Sequence, residues 1–364
     1  MSKNIYTIEI HMSRLNAIIE ERNVVSFPGY RPGQGDHIKY TKQKITITAE
    51  RTKRFDPKDI LRNKQNSIYA QIFKSLLYLY LKNERRIYIS SIVIKRSTSR
   101  TEDTPYIYGL DKYSQPISND FRLGITLSEA VLDKVFEENV SGNSFRMAAS
   151  HWLRGMSSAD RYFKYERYWR TFERLSIYHI RTAQKINDFE AMRTMRDYII
   201  ANNDKFTRSL ANVAHISGLK FRKFDWDLYI ESEFPEATVA NPRLKCYQNY
   251  KNNFVCANHD LRIMGMHQRL LHLRSASLSV NGMLADVQSH LSTQIAARDT
   301  RQDEVLSILM CRYAYYLRNK MFHAERADFT FTFTDKTHDD SRIDILNSLF
   351  DCIIADMMEH FTSL

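Results

Sequence analysis

The sequence predicts an α+β protein: a basic mixed α/β module at residues 1–120, followed by a large all-helical domain at 121–364. Three observations predict it. Within the first hundred residues, three stretches alternate apolar and polar side chains, the two-residue period of a half-buried strand. From Leu127 onward the apolar residues recur at steps of three and four, the period of a helix with one buried side. The charge divides in the same region: residues 1–100 hold 20 Lys and Arg against 8 Asp and Glu, and the remainder holds 33 against 34.

Residues 4–11 alternate and read as the first strand, 12–22 as helical, and 27–35 as a loop rich in Pro and Gly. Residues 43–51 alternate again, with Ile45 and Ile47 on one face. After Asp56-Pro57 a helix is expected at 66–82, then a third strand at 86–96. The polar residues 97–120, with scattered Pro, Ser and Asp, read as a linker. Helices are expected at 127–139, 144–154, 158–184, 187–202 and 204–216. Pro235, Pro242 and weak periodicity make 225–257 an irregular insertion. Helices resume at 258–273, 277–297 and 301–323. A short alternating strand is expected at 327–334, and a last helix at 339–361 with Ile343, Leu346, Phe350, Ile353, Ile354 and Met357 inward.

Composition excludes several classes. With 43% hydrophobic and 26% charged residues the chain has the balance of a globular protein. No apolar run approaches the ~20 residues that cross a bilayer, and the N-terminus lacks a charged-then-apolar signal pattern. A cytoplasmic protein without membrane contact is expected. The four cysteines, Cys246, Cys256, Cys311 and Cys352, show no CxxC spacing and read as free thiols. His267 and His272 are five apart, off the four-residue spacing of a helical metal pair, and read as structural. No glycine signature for nucleotide binding occurs in the first module, and no metal or cofactor is expected.

Net charge is +11, and the excess lies wholly in the first hundred residues. Such asymmetry suits a module that faces a polyanion. Lys42, Lys44, Lys53 and Arg54 are its candidate contacts, although a merely solvated basic surface has the same composition. On the helix expected at 158–184, Arg167, Arg170, Arg174 and Arg181 fall within about 60° of one another, away from an aromatic side. They form either a phosphate-tracking stripe for RNA or a solvated basic face.

The stretch richest in chemistry is Tyr313-Ala314-Tyr315-Tyr316-Leu317-Arg318-Asn319-Lys320-Met321-Phe322-His323. Asn319 and His323 are four apart and share a helix face, with Arg318 about 100° round from Asn319. A guanidinium fork suits phosphate oxygens, and an imidazole moves protons near neutral pH. Ser307, Cys311, Ala314 and Arg318 follow at steps of four, three and four, so three small side chains lead to Arg318. Such a face admits close approach of another helix, either of the same chain or of a second copy.

Arg318-Asn319-x-x-x-His323 resembles the Arg-x(4–6)-His motif of HEPN ribonucleases, small helical RNA-cleaving domains of toxins and phage-defence proteins. The spacing alone also occurs at Arg146/His151, Arg174/His179 and Arg262/His267. What sets the fourth copy apart is the Asn after the Arg, the aromatic helix before it and Glu325 after it. His151-Trp152-Leu153 through Asp160, Phe163, Trp169, Phe172 and Glu173 is similar to the early helices of Apea-like HEPN domains, so the resemblance covers roughly 140–364.

The resemblance implies a metal-independent endoribonuclease acting through the ribose 2′-OH, of the kind found as toxin or antiviral-defence effectors. His323 would be general base or acid, Arg318 the phosphate clamp and Asn319 a local brace or ribose contact. Glu173 would be a supporting acid that orients Arg318 or His323. It further implies RNA as partner, a homodimer through the helix carrying Arg318, and an antitoxin or other regulatory partner. A helical protein that binds nucleic acid or regulates without catalysis is the other reading.

Overall fold

Ile38, Ile47, Ile8 and Ile94 stand side by side on four neighbouring strands, each with no exposed surface. The computed structural model to which they belong describes residues 3–13, 17–25, 35–111, 115–117, 119–181, 188–235, 244–322 and 338–363, without the side chains of 181, 188–190, 244, 245, 322 and 338–340. Its strands are β1 (Asn4–Met12), β2 (Glu20–Val24), β3 (Asp36–Tyr40), β4 (Lys44–Arg51), β5 (Ile89–Ser97) and β6 (Tyr106–Gly109). They form one antiparallel six-stranded sheet in the order β2-β3-β4-β1-β5-β6. Alternation along β1 buries Tyr6, Ile8, Ile10 and Met12 and leaves the residues between them more open, as one packed sheet face requires.

Helix α1 (Ser67–Asn83) begins where Asn66 accepts the Ile68 N–H at 2.8 Å and ends at Glu84, which adopts a left-handed φ of 56°. Its Leu76-Leu77-Tyr78-Leu79-Tyr80-Leu81 run is buried on all sides. A helix apolar all round must be covered all round, and α1 packs against both β4 and helix α3 (Val140–Met156). The short helix α2 (Glu129–Asp133) and the long helix α4 (Arg161–Arg181) complete this part of the chain. Residues 1–178 and 357–364 make one compact unit and residues 179–356 another.

The second unit holds α5 (Asp188–Ala201), α6 (Thr207–Ala214), α7 (Gly218–Arg222), α8 (Trp226–Glu233), α9 (Leu244–Asn249), α10 (Leu261–Leu270), α11 (Ser275–Val280), α12 (Leu284–Ala297), α13 (Gln302–Ile308), α14 (Ala314–Phe322) and most of α15 (His338–Glu359). A π-helical turn, Leu309–Tyr313, joins α13 to α14, and another, Tyr250–Val255, follows α9. From Asp303 to Leu317 nearly every side chain between these helices is buried. Tyr313 and Tyr316 enter an aromatic cluster with Phe224, Trp226 and Tyr229, at centroid distances of 4.9 to 6.4 Å. Buried Asp356 on α15 accepts from the Ser209 N–H at 3.0 Å and its hydroxyl at 2.6 Å, which ties α6 to α15.

Several expectations change. Residues 20–24 are strand, where 12–22 read as helical. Arg22 faces Ile38 in that strand, and its guanidinium bonds Glu20, Glu129 and Asp133 while lying 4.4 Å above the Tyr78 ring. Tertiary pairing thus overrides a sequence with few strand-formers. The expected linker at 97–120 contains β6, paired to β5. The expected irregular insertion at 225–257 is largely helical in its described part, through α8, α9 and the π turn, because Trp226, Tyr229, Tyr250 and Phe254 are needed as buried aromatic wall. The helix expected at 277–297 breaks at Gly282, whose φ of 66° suits the one residue without a Cβ. Residues 27–34 of the loop expected at 27–35, and the strand expected at 327–334, lie outside the described residues. Among the described residues no helix is long and apolar enough to cross a membrane.

Candidate functional site

Arg318 and Asn319 lie half-buried on α14, the helix that continues the buried α13 and its π turn. Arg318 Nη1 donates to Asn319 Oδ1 at 2.9 Å. Adjacent helical residues diverge by about 100°, so the guanidinium bends around the helix to reach its neighbour. The hydrogen bond gives the Arg318 fork a fixed edge. A cation near a helix C-terminus also suits the helix dipole. His323 lies outside the described residues, as does Glu325.

One turn earlier on the same face, Tyr315 lines a cavity of ≈ 150 Å³ together with Cys311 and Arg312. Arg193 and Arg196 of α5, three residues apart, bring two more guanidiniums, and Glu233 of α8 adds a carboxyl. Arg312 Nη2 and Arg196 Nη1 both donate to the Asn253 carbonyl, at 2.7 and 3.3 Å. Asn253 and Arg312 sit on the two π turns. Such turns widen the helix locally and re-aim its side chains.

The surroundings set the charge states. Desolvation pushes the Glu233 carboxyl above its ordinary value against the pull of Arg312 and Lys320, although its surface remains open to solvent. Burial pushes the Cys311 thiol up to about 12, so it stays protonated and unreactive at neutral pH. Arg193, Arg196, Arg312 and Asn253 were not singled out by spacing. The available signal was Arg193-x-x-Arg196 on one helix face and Arg312 six residues ahead of Arg318.

The remaining candidates, Arg181 apart, belong to the first unit. Glu173 is half-buried on α4, within the first unit. Of the expected arginine stripe, Arg170 is exposed and pairs with Glu166 at 2.6 Å. Arg167 Nη1 approaches His151 Nδ1 at 3.3 Å and its guanidinium lies 4.6 Å over the Phe163 ring. Arg174 donates to Ser144 Oγ at 3.1 Å. Two of the four arginines are therefore turned toward α3, and the side chain of Arg181 lies outside the described set. Lys42, Lys53 and Arg54 are exposed, whereas Lys44 is paired with Glu9. Lys42 precedes β4 and Lys53 and Arg54 follow it, so the two groups stand roughly 25 Å apart along the strand.

Acids beyond residue 100 answer part of the basic excess. Asp103 pairs with Arg96 at 2.6 Å, Glu129 with Arg22 at 2.9 Å, and Glu138 with buried Lys74. The other Arg-x4-His spacings are structural. Arg146 donates to the carbonyls of Val135 and Glu137. Arg262 forks onto Asp260 at 2.7 and 2.9 Å, and His267 is wholly buried with Nε2 3.2 Å from the Phe254 carbonyl. Ser307, Cys311 and Ala314, the small side chains expected to meet a second copy, are buried among this chain's own helices. The face therefore does not present them to a partner. The chain matches no protein-family model, no curated protein and no solved structure.

Proposed function

We propose that the chain is a metal-independent endoribonuclease of HEPN type, with Arg318, Asn319 and His323 as its working residues. The observation that carries the proposal is the Arg318–Asn319 hydrogen bond on a half-buried helix end, one turn beyond an arginine-lined cavity. A guanidinium fixed against a neighbouring amide presents a planar fork whose geometry suits phosphate oxygens. It would stabilise the negative charge that grows as the ribose 2′-OH attacks the adjacent phosphorus. His323 would take the 2′-OH proton or give one to the leaving 5′ oxygen. The products would carry 2′,3′-cyclic phosphate and 5′-hydroxyl ends.

The expected roles as a toxin or antiviral effector in the cytoplasm, held by an antitoxin or regulator, belong to this proposal. So does a homodimer bringing two Arg318 sets together, which would have to use the half-buried end of α14. Incubating labelled RNA with the protein in EDTA, beside Arg318→Ala and His323→Ala, tests the reading. Cleavage by wild type and loss in both variants supports it; equal cleavage by all three overturns it. A non-catalytic nucleic-acid-binding protein is the second reading, favoured by exposed Lys42, Lys53 and Arg54. RNA binding without cleavage by wild type would select it.

A further inference from the structure

The first unit contains a cavity of ≈ 480 Å³ whose chemistry the nuclease reading does not use. Ile72, Leu76 and Tyr80 of α1, Ile92 of β5, Ile117 and Leu153 of α3 form its apolar walls. The volume falls in the range of about 300–1,000 Å³ typical of ligand pockets, which combine apolar walls with a few placed polar groups. Here the polar groups come from α3 and α4: Ser150, His151, Arg154 and Arg167. No Asp or Glu is among the lining side chains. The cavity thus has an apolar body and a cationic end.

Arg167 is the informative residue. Its Nη1 is 3.3 Å from His151 Nδ1, and its plane packs over Phe163. Its Nε–H is buried and meets no acceptor among the described residues. A buried guanidinium N–H without an acceptor is unfavourable, and a carboxylate presents two oxygens that match the fork. Arg154, exposed beside it, donates to the Pro116 carbonyl at 3.1 Å and adds a second positive charge. Burial and the neighbouring Arg167 and Arg170 hold the His151 pKa below its ordinary value, so the ring is neutral and accepts from Arg167.

We infer that this cavity binds a fatty carboxylate, its chain among the apolar walls and its carboxylate on Arg167 and Arg154. A neutral apolar molecule would leave the Arg167 Nε–H unmatched. A nucleotide would set ribose and phosphates against Ile and Leu side chains, which offer them no hydrogen bonds. A cationic amphiphile would meet two guanidiniums.

The test is calorimetric titration of the full chain with decanoate, decanol and decyltrimethylammonium, each below its micelle concentration. Decanoate should bind one per chain, decanol at least about tenfold more weakly, and the cation not measurably. Arg167→Gln should weaken decanoate by about tenfold and leave decanol unchanged. Leu76→Trp, which fills the cavity, should abolish both. Phe73, which also lines it and is 38% exposed, gives a variant with little folding risk: Phe73→Glu should repel decanoate selectively. Decanol binding as tightly as decanoate, an unchanged Arg167→Gln or Phe73→Glu titration, or binding only to phosphatidylglycerol vesicles would each overturn the assignment.

Discussion

Arg318 and Asn319 are neighbours in sequence that hydrogen-bond side chain to side chain across the helix surface, Nη1 to Oδ1 at 2.9 Å. On the proposed function, that geometry would make Asn319 a positioning residue for the cation. A hydrogen bond to a charged group contributes about 1.5–3 kcal/mol, so Asn319→Ala should slow RNA cleavage by roughly 10- to 100-fold. Because Asn319 acts through Arg318, the double variant with Arg318→Ala should be no slower than Arg318→Ala alone. Rates measured for the two single variants and the double decide the matter. Fully additive losses would mean that Asn319 has its own contact with substrate.

The sheet has a comparable buried device. Arg51 forks onto Asp36 at 2.6 and 2.7 Å, with the two side chains 5% and 0% exposed. Removing one partner of a buried pair strands the other charge, at a cost of about 3–5 kcal/mol. Asp36→Ala should therefore lower the urea midpoint sharply. Asp36→Leu combined with Arg51→Met should recover much of the loss, since an apolar pair leaves no buried charge. A midpoint for Asp36→Ala within error of wild type would show that water already reaches the pair.

Legibility followed period and length. Alternating β1, β4 and β5, and the long helices α1, α3, α4 and α15, announced themselves because each carries several repeats of its own period. Strand β2, with sequence Glu-Glu-Arg-Asn-Val, carries no such signal and is defined by pairing with β3 and by the acids around Arg22. Helices α8 and α9 span little more than two turns at most, too short for a stripe to show beside Pro235. In the site, Arg318 and Asn319 stood out as part of a motif, but their mutual hydrogen bond did not, because a step of about 100° separates them and only the bend of the guanidinium joins them. The convergence of Arg312 and Arg196 on Asn253 was not readable either, because it depends on two π turns that break the uniform 100° step. The same step placed Ser307, Cys311 and Ala314 on one face and could not reveal that α5 and α6 already cover α13 there.

Deleting the first hundred residues would remove five of the six strands, so RNA capture is better tested by charge reversal at exposed positions. Lys42→Glu, Lys53→Glu and Arg54→Glu alter side chains outside the core. If all three contact phosphates of single-stranded RNA, each contributes about −0.7 to the slope of log affinity against log salt. The triple variant should be shallower by about 2. Filter binding across a salt series measures it. Since the two groups stand roughly 25 Å apart along β4, a short oligonucleotide that cannot span them should show a smaller change. An unaltered slope with long RNA would assign this charge to another partner.

The buried imidazole of His267 gives the fold an acid sensitivity of defined sign. Burial brings its pKa from the ordinary 6.5 down to about 3, against the help of the Phe254 carbonyl. His179 follows to about 4, through burial and Lys205. Between these values and 6.5 the unfolded imidazoles take up protons that the folded ones refuse, so the unfolded state binds more protons and stability rises with pH. Stability is thus complete above about pH 6.5 and is lost as the pH falls toward 4, by about 1.4 kcal/mol per pH unit for each such histidine. His267→Gln keeps a donor for the Phe254 carbonyl and removes one titrating group. Urea unfolding at pH 7, 6 and 5 should show a shallower loss for the variant than for wild type. Parallel pH dependences would mean that His267 is protonated in the folded protein and that its burial is relieved by water.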